Sequence, residues 1–290
     1  MCDVGPYQLR ANRFAGSGQL IVTATQRLAL ILLACPVVCF AANPFDSPLK
    51  IRHVRLESDP QNPRVKRQVS CFYYRSVVVK QVDYGEVGAD RLALLPVVSG
   101  NATPCRGARE PNEYVIPSDI WSGYFKGVKA DYAFFDASDG TIGGLGFMVL
   151  RVFDRKVLFE DIAQHGIASI EIQEGTLKLR YQRVFAASCS VASGDSACRD
   201  GLVHDTGIAG GSLSACAQEY QTAKHTMAKS RCAAQTSRES DCVRKELSLL
   251  DEQKWNEIPT VIVYEVEVHL SREQPVIATR SDALACHPSE

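Results

Sequence analysis

Cysteine placement constrains this chain more than any other feature. Eleven cysteines occur in 290 residues, and Cys2, Cys35 and Cys39 lie before or inside an apolar stretch at residues 28–40 (LALILLACPVVCF). Arg27 precedes the stretch, and Cys39-Phe40-Ala41 has the small-x-small form of a cleavage site. A positive flank, a short apolar core and such a site read as a secretory signal peptide. Residues 1–42 are assigned to it, with an upstream extension that implies translation starting near Val22. Pro36 disfavours a buried N-terminal helix, and the core is shorter than the roughly 20 residues that span a bilayer. Leu32-Leu33-Ala34-Cys35 has the form of a lipoprotein cleavage box. Few apolar residues precede it, however, and lipidation at Cys35 would retain Cys39 as an odd thiol.

Cys71, Cys105, Cys189, Cys198, Cys216, Cys232, Cys242 and Cys286 remain. An even number behind an export signal reads as up to four disulfides in an oxidising compartment, periplasmic or secreted. Cys71 is expected to pair with Cys105 and Cys232 with Cys242, each closing a moderate loop. Cys216 and Cys232 cannot join within one helix, where a 1.5 Å rise per residue separates them by roughly 24 Å. Cys189, Cys198, Cys216 and Cys286 are left with three possible pairings. The absence of C-x-x-C and H-x-H spacings argues against zinc.

Composition is that of an ordinary globular chain, 46% hydrophobic and 22% charged. Residues 43–290 are read as one mature β-rich domain. They carry 29 basic and 32 acidic residues, a net charge of -3. No basic block stands out, which excludes general nucleic-acid binding, and no membrane span is expected.

Residues 43–68 read as a polar N-terminal arm with an edge strand around Ile51 and Val54. Residues 69–82 (VSCFYYRSVVVKQV) and 91–98 (RLALLPVV) are rich in residues that pack on a pleated surface. Ser118 is placed as the cap of a helical turn holding Ile120, Trp121, Tyr124 and Phe125, an aromatic cluster assigned to the core. Residues 136–140 read as a turn. Residues 145–153 (LGFMVLRVF) are apolar on both faces, as in a doubly covered strand, and short strands follow at 157–159 and 167–172.

In residues 177–185, Leu177, Leu179, Tyr181 and Phe185 alternate with Lys178, Arg180 and Gln182. Ile262, Tyr264, Val266, Val268 and Leu270 do the same in residues 261–270. These two strands are expected to pair antiparallel, with Lys178 and Arg180 facing Glu265 and Glu267. Residues 190–212 are rich in Gly, Ser and Asp, and Gly211-Ser212-Leu213 reads as linker. Cys216, Tyr220, Ala223 and Met227 share a helical face. Thr236-x-x-Glu239 has capping-box form, and Val243, Leu247 and Leu250 continue as a second stripe. The expected fold class is therefore α+β: a mainly antiparallel sheet with a disulfide-braced two-helix insertion at about residues 210–257.

Three runs, CFYYRSVVVKQVDYGEVGA from Cys71, WSGYFKGVKADYAFFDASDG from Trp121 and LRYQRVFAASCS from Leu179, resemble an uncharacterised family of exported Gram-negative bacterial proteins. The resemblance implies a location and no activity. The segment from Cys232 to Trp255 resembles the helical cysteine-pair segment of small periplasmic lysozyme-inhibitor domains.

Motifs for catalysis are missing. Gly211-Ser212-Leu213 lacks the second glycine of a nucleophile elbow, and Gly143-Gly144-Leu145-Gly146 lacks the lysine of a phosphate loop. His53, His165, His204, His225, His269 and His287 are scattered. Asp136 and Asp139 fall short of a calcium-loop pattern. Glu160 and Asp161 point to opposite faces of a strand. Asn101-Ala102-Thr103 is a chance sequon. No cofactor is called for. The expected role is non-enzymatic binding of a protein or cell-envelope component, with the helical insertion as a contact surface. Lysozyme inhibition and a hydrolase with an unrecognised site are the alternatives.

Overall fold

In the computed structural model the described residues are 43–58, 61–97, 103–141, 143–233, 239–271 and 275–289. The assigned signal segment, the Asn101 sequon and Thr236 lie outside them. Two antiparallel meanders carry the fold. The first sheet runs in chain order through β1 (Lys50–Arg55), β2 (Gln68–Tyr73), β3 (Val77–Asp83), β4 (Arg91–Pro96) and the short β5 (Tyr114–Val115). The second runs through β6 (Gly123–Lys129), β7 (Tyr132–Thr141), β8 (Gly144–Arg151), β9 (Lys156–Gln173), β10 (Thr176–Ala186), β11 (Thr260–Leu270) and β12 (Val276–Pro288). The chain is α+β and mainly antiparallel β.

The pleat explains the layering. Along β7 and β8, Ala133, Phe135, Met148 and Leu150 face the five-stranded sheet, where they meet Val77, Val79, Leu92 and Leu94. The alternate residues Phe134, Phe147 and Val149 face the other way, into a core shared with three helices. Strand β8 is thus apolar on both faces because both are covered. A third cluster, Val69, Cys71, Val78, Val82 and Leu95, lies on the outer face of the first sheet beneath the segment that carries Cys105.

The helices leave the second sheet between β10 and β11. They are α1 (Ser196–Thr206), α2 (Gly210–Cys232) and α3 (Glu239–Glu252). Helix α2 buries Leu213, Cys216, Tyr220, Lys224, Ala228 and Cys232 at helical spacing. Buried Lys224 pairs with Asp251, tying α2 to the end of α3. Strands β10 and β11 are adjacent and antiparallel, with Leu179 opposite Val268, Tyr181 opposite Val266 and Arg180 opposite Glu267.

Several local readings are corrected. Gly211-Ser212-Leu213 belongs to the first turn of α2 and not to a linker, and residues 190–212, in which the composition shows no helix, hold α1. Gly201 and the Ser/Asp-rich flanks lower its intrinsic propensity. It forms because Asp195 caps it, accepting from the Ala197 N–H at 2.9 Å, and because Cys198 and Leu202 are buried. The insertion accordingly starts near residue 196 and holds three helices. The helical turn proposed after Ser118 ends at once, and Tyr124 and Phe125 lie in β6. Their i, i+3, i+4 relation to Trp121 imitates a helix, but Gly123 and Gly127 mark close packing: a Cβ at Gly123 would strike the Asp136 carbonyl, and one at Gly127 the Phe45 ring. Residues 136–140 continue β7 instead of turning, and the hairpin turns at Gly143, φ 82°. Residues 157–159 and 167–172 belong to one long strand, β9.

Four disulfides hold these layers, Cys71–Cys105, Cys189–Cys198, Cys216–Cys286 and Cys232–Cys242. Cys71–Cys105 clamps the loop over the first sheet, and Cys216–Cys286 fastens α2 to the edge strand β12. Chain-entropy arithmetic gives about 2.6 kcal/mol for the shortest loop and about 4.4 kcal/mol for the longest. Such bracing marks an extracytoplasmic protein. Among the described residues no helix is long and apolar enough to cross a membrane.

Candidate binding surface and buried polar clusters

Charged groups enter the core at two places, and each is neutralised differently. In the second sheet, β9 passes a bend where Gln164, His165 and Gly166 lie opposite the single residue Gln182 of β10. Gly166 has φ 81°, a conformation that favours glycine. Beside the bend, Asp161 of β9 accepts the Tyr181 hydroxyl at 2.5 Å and the Arg183 Nε–H at 3.1 Å. The Arg183 guanidinium also donates to the Tyr264 hydroxyl at 3.3 Å. Asp161 and both tyrosines are buried. Burial, with the neighbouring Asp161 charge, drives the Tyr181 phenol far above its usual range, and burial likewise raises Tyr264. Burial alone would lower Arg183, but Asp161 and the tyrosine oxygens outweigh it and leave the guanidinium pKa raised. One anion meets one cation, and both phenols keep their protons at neutral pH. The group is electrostatically closed, with no base or nucleophile to spare.

The second place lies under the loop of the first sheet. Lys80, 1% exposed, donates to Glu113 at 2.5 Å and to the Ala108 carbonyl at 2.8 Å. Arg91 approaches the same carboxylate at 3.2 Å and donates to the Gly107 carbonyl. Two cations thus share one carboxylate, and the backbone of residues 107–113 is drawn down onto them.

The remaining candidate residues are not assembled into a site. Glu160 is exposed while Asp161 belongs to the buried cluster, so the two do not act together. Asp136 is paired with Lys126 at 2.7 Å, and among the described residues Asp139 accepts from its neighbour Ser138 at 3.4 Å. Ser212 lies in the first turn of α2. His53 bonds Ser70 Oγ, His204 bonds Asp205 and His269 bonds Glu267. Among the described residues no three His, Cys, Asp or Glu side chains are grouped to hold a metal ion. Trp121 and Phe125 pack in the core between the sheets.

Concavity and exposed apolar surface coincide at one end of the two-sheet stack. A cleft of about 480 Å³ opens between the N-terminal arm, the β2–β3 turn and the β6–β7 turn, lined in part by Leu49, Tyr74, Arg75 and Asp131. The arm is clamped there: Asp46 N–H donates to the Val128 carbonyl at 2.8 Å. In return the Asp46 carboxylate accepts from Ala130 N–H at 2.7 Å and meets Lys129 at 3.2 Å. Tyr74 forms the inner wall, its phenol raised by burial. Leu49 is 67% exposed. At the neighbouring tip, Val152 N–H bonds the Asp131 carbonyl at 2.8 Å, and the next residue, Phe153, is 73% exposed. The outward faces of α2 and α3 differ. His225, Lys229, Asp241, Arg244 and Lys245 line them, a solvated mixture of both signs.

Comparison with protein-family models, curated proteins and solved structures gave no significant match. Sequence reading missed both buried clusters, although each left a signal. Arg183 interrupts the apolar phase set by Leu177, Leu179 and Tyr181, and Lys80 interrupts the apolar run of β3.

Proposed function

We propose that the protein works after export, in the periplasm or outside the cell, as a non-enzymatic module binding a protein or cell-envelope component through the hairpin end of its two-sheet stack. One observation carries this reading. Leu49, largely exposed, lines a cleft with Tyr74, Arg75 and Asp131, and Phe153, also largely exposed, follows Val152 in the turn bonded to Asp131. Exposed apolar side chains beside a few polar groups are what a contact surface needs. The buried ionisable groups support the same reading, since they are spent on one another.

The test is capture from envelope extract with immobilised protein produced from the full chain. Leu49→Asp with Phe153→Asp is expected to abolish the capture seen with the parent, whereas Lys229→Glu with Lys245→Glu on the helices leaves it intact. Capture lost only with the helical substitutions would move the contact surface to the insertion. A lysozyme turbidity assay run alongside tests the inhibitor reading, which rests on the stapled α2–α3 pair. Inhibition at stoichiometric protein would replace the envelope-component reading.

A further inference from the structure

The first sheet gathers positive charge that the sequence disperses. Residues 43–117 hold 11 basic and 8 acidic residues, a net of +3, against 18 and 24, a net of -6, in residues 118–290. The surplus is exposed. Lys50, Arg52 and Arg55 lie along β1, Arg64 and Lys66 in the loop after it, and Arg75 in the turn beside its other end, all at the surface. Among the described residues none of the six takes part in an ion pair. Of the eight carboxylates of this region, Glu57 and Glu86 are exposed at the surface and five are committed elsewhere. Asp46 holds Lys129, Asp83 and Asp90 accept backbone N–H groups, and Glu110 and Glu113 hold Arg106, Lys80 and Arg91. Strand β1 is the edge of its sheet, paired only with β2. Beside its cations it exposes Leu49 and Ile51, 67% and 48% accessible.

We infer that this edge docks onto an anionic lipid surface, with phospholipid headgroups meeting the six cations and Leu49 and Ile51 entering the boundary with the acyl chains. This inference rests on the binding reading above and names the envelope component as lipid. Geometry favours a fluid surface over an acidic peptide strand. Lys50 and Arg52 point to the face that carries Cys71, while Ile51 and Arg55 point to the opposite face. Arg75 and Lys66 extend the strip beyond both ends of a strand about 20 Å long. An added peptide strand offers acidic side chains in rows matched to one strand's length and reaches only the cations on β1 itself. An edge-on approach to a plane of headgroups lets cations from both faces and both flanking loops reach it, their alkyl stems lying along the sheet. Mixed basic and aliphatic side chains on one exposed element also fit an interface with headgroups outside and hydrocarbon within. Lysine and arginine on an edge strand also deter strand-to-strand aggregation, but that role needs no cations in the flanking turns and no exposed leucine.

Cosedimentation with vesicles tests this, using protein made from the full chain. Binding is expected to phosphatidylcholine vesicles doped with phosphatidylglycerol and not to phosphatidylcholine alone, and to fall steeply as salt shortens the screening length. Reversing three cations, K50E/R52E/R55E, is expected to weaken partitioning by at least about a hundredfold, at roughly fivefold per cation near the surface. Ile51→Ser should weaken it a few-fold at any salt, and Lys229→Glu not at all. All of these side chains are exposed, and an unchanged melting profile identifies any variant that has lost its fold. Parent protein that ignores anionic vesicles, or that binds them equally after the triple reversal, overturns the inference. Binding to soluble polyglutamate in place of vesicles overturns it in favour of an acidic protein partner. Capture from envelope extract that persists through such a failure leaves the broader binding reading standing.

Discussion

The two sheets bury charge in opposite ways. At the bend of the seven-stranded sheet, Asp161 and Arg183 cancel, and their remaining hydrogen-bonding capacity goes to Tyr181 and Tyr264 on the same face. Under the loop of the five-stranded sheet, Glu113 faces both Lys80 and Arg91, which leaves a positive excess inside a region already positive outside. The first arrangement joins neighbouring strands that the backbone ladder already holds. The second joins a sheet to a segment with little ladder of its own, only the two residues of β5. A balanced cluster stabilises what is already ordered. An unbalanced one, with carbonyl oxygens taking up the surplus N–H donors, orders a loop that would otherwise be free.

Removing Glu113 should expose that difference most strongly. Glu113→Ala leaves Lys80 and Arg91 without a counter-charge, one of them fully buried. Its cost is expected near the upper end of the about 3–5 kcal/mol typical of breaking a buried pair. Urea unfolding reads the loss, and limited proteolysis should show cleavage within residues 103–113 before the rest of the chain yields. A variant that melts as one unit, with no early cut in the loop, would show that the cluster supports the whole sheet.

The covalent clamp on the same loop comes next. Replacing both Cys71 and Cys105 by alanine opens a loop of sequence separation 34, worth about 3–4 kcal/mol. Because disulfide and ion cluster hold one segment, the double cysteine variant and Glu113→Ala should not add. Once either tie is cut, the loop frays and the other is partly lost. Additive losses would separate the two ties and weaken the comparison.

Tyr181→Phe probes the balanced cluster. At neutral pH it removes one hydrogen bond to a charged acceptor, about 1.5–3 kcal/mol. Its pH dependence is more telling. The folded phenol pKa is raised well above the value of about 10 in an unfolded chain. Tyr181 therefore contributes fully below pH 10, and its contribution is lost as pH rises above that, because only the unfolded chain releases the proton. The slope is about 1.4 kcal/mol per pH unit for each such tyrosine. Tyr74, Tyr220 and Tyr264, also raised by burial, add slope of the same sign. Stability measured between pH 7 and 11 should fall in both proteins, but less steeply in Tyr181→Phe, so the gap narrows by about 1.4 kcal/mol by pH 11. Parallel curves would place Tyr181 in a wetter site.

Much of the architecture was legible in side-chain alternation. Period-two patterns in residues 177–185 and 261–270 specify two half-covered strands, and their neighbouring positions leave the residues between them to form a layer of their own. The doubly apolar run at β8 follows from two covering layers. Other features were hidden because their cause is tertiary. Helix α1 depends on burial and a capping aspartate that its composition disguises, and β6 imitates helical spacing until its glycines meet Asp136 and Phe45. The exposed hairpin end has no motif at all. Leu49 and Phe153 are ordinary apolar residues in sequence and become informative only once the fold exposes one at the cleft and the other on the neighbouring turn. The basic strip was invisible for the same reason: its six cations are spread over residues 50–75 and converge only along the edge of a sheet.

The smallest expected effect lies between β10 and β11. Arg180 Nε is 3.2 Å from Glu265, both side chains being about half exposed, and Arg180 lies directly opposite Glu267. Lys178, on the same strand, faces His269 instead, so the charge match expected for it is taken by a single arginine between two glutamates. Water screens the pair, and a cross-strand ion pair of this kind contributes about 0.2–1 kcal/mol. Arg180→Ala should therefore cost under about 1 kcal/mol in urea, and most of that should vanish at high salt. Arg180→Glu should cost more than Arg180→Ala, because it places three carboxylates together on one face of the sheet. It should still leave the register intact, since Leu179, Tyr181, Val266 and Val268 secure it from the buried side. If amide exchange showed β10 and β11 separating in Arg180→Glu, surface charge would be setting the register, a role assigned above to the buried face.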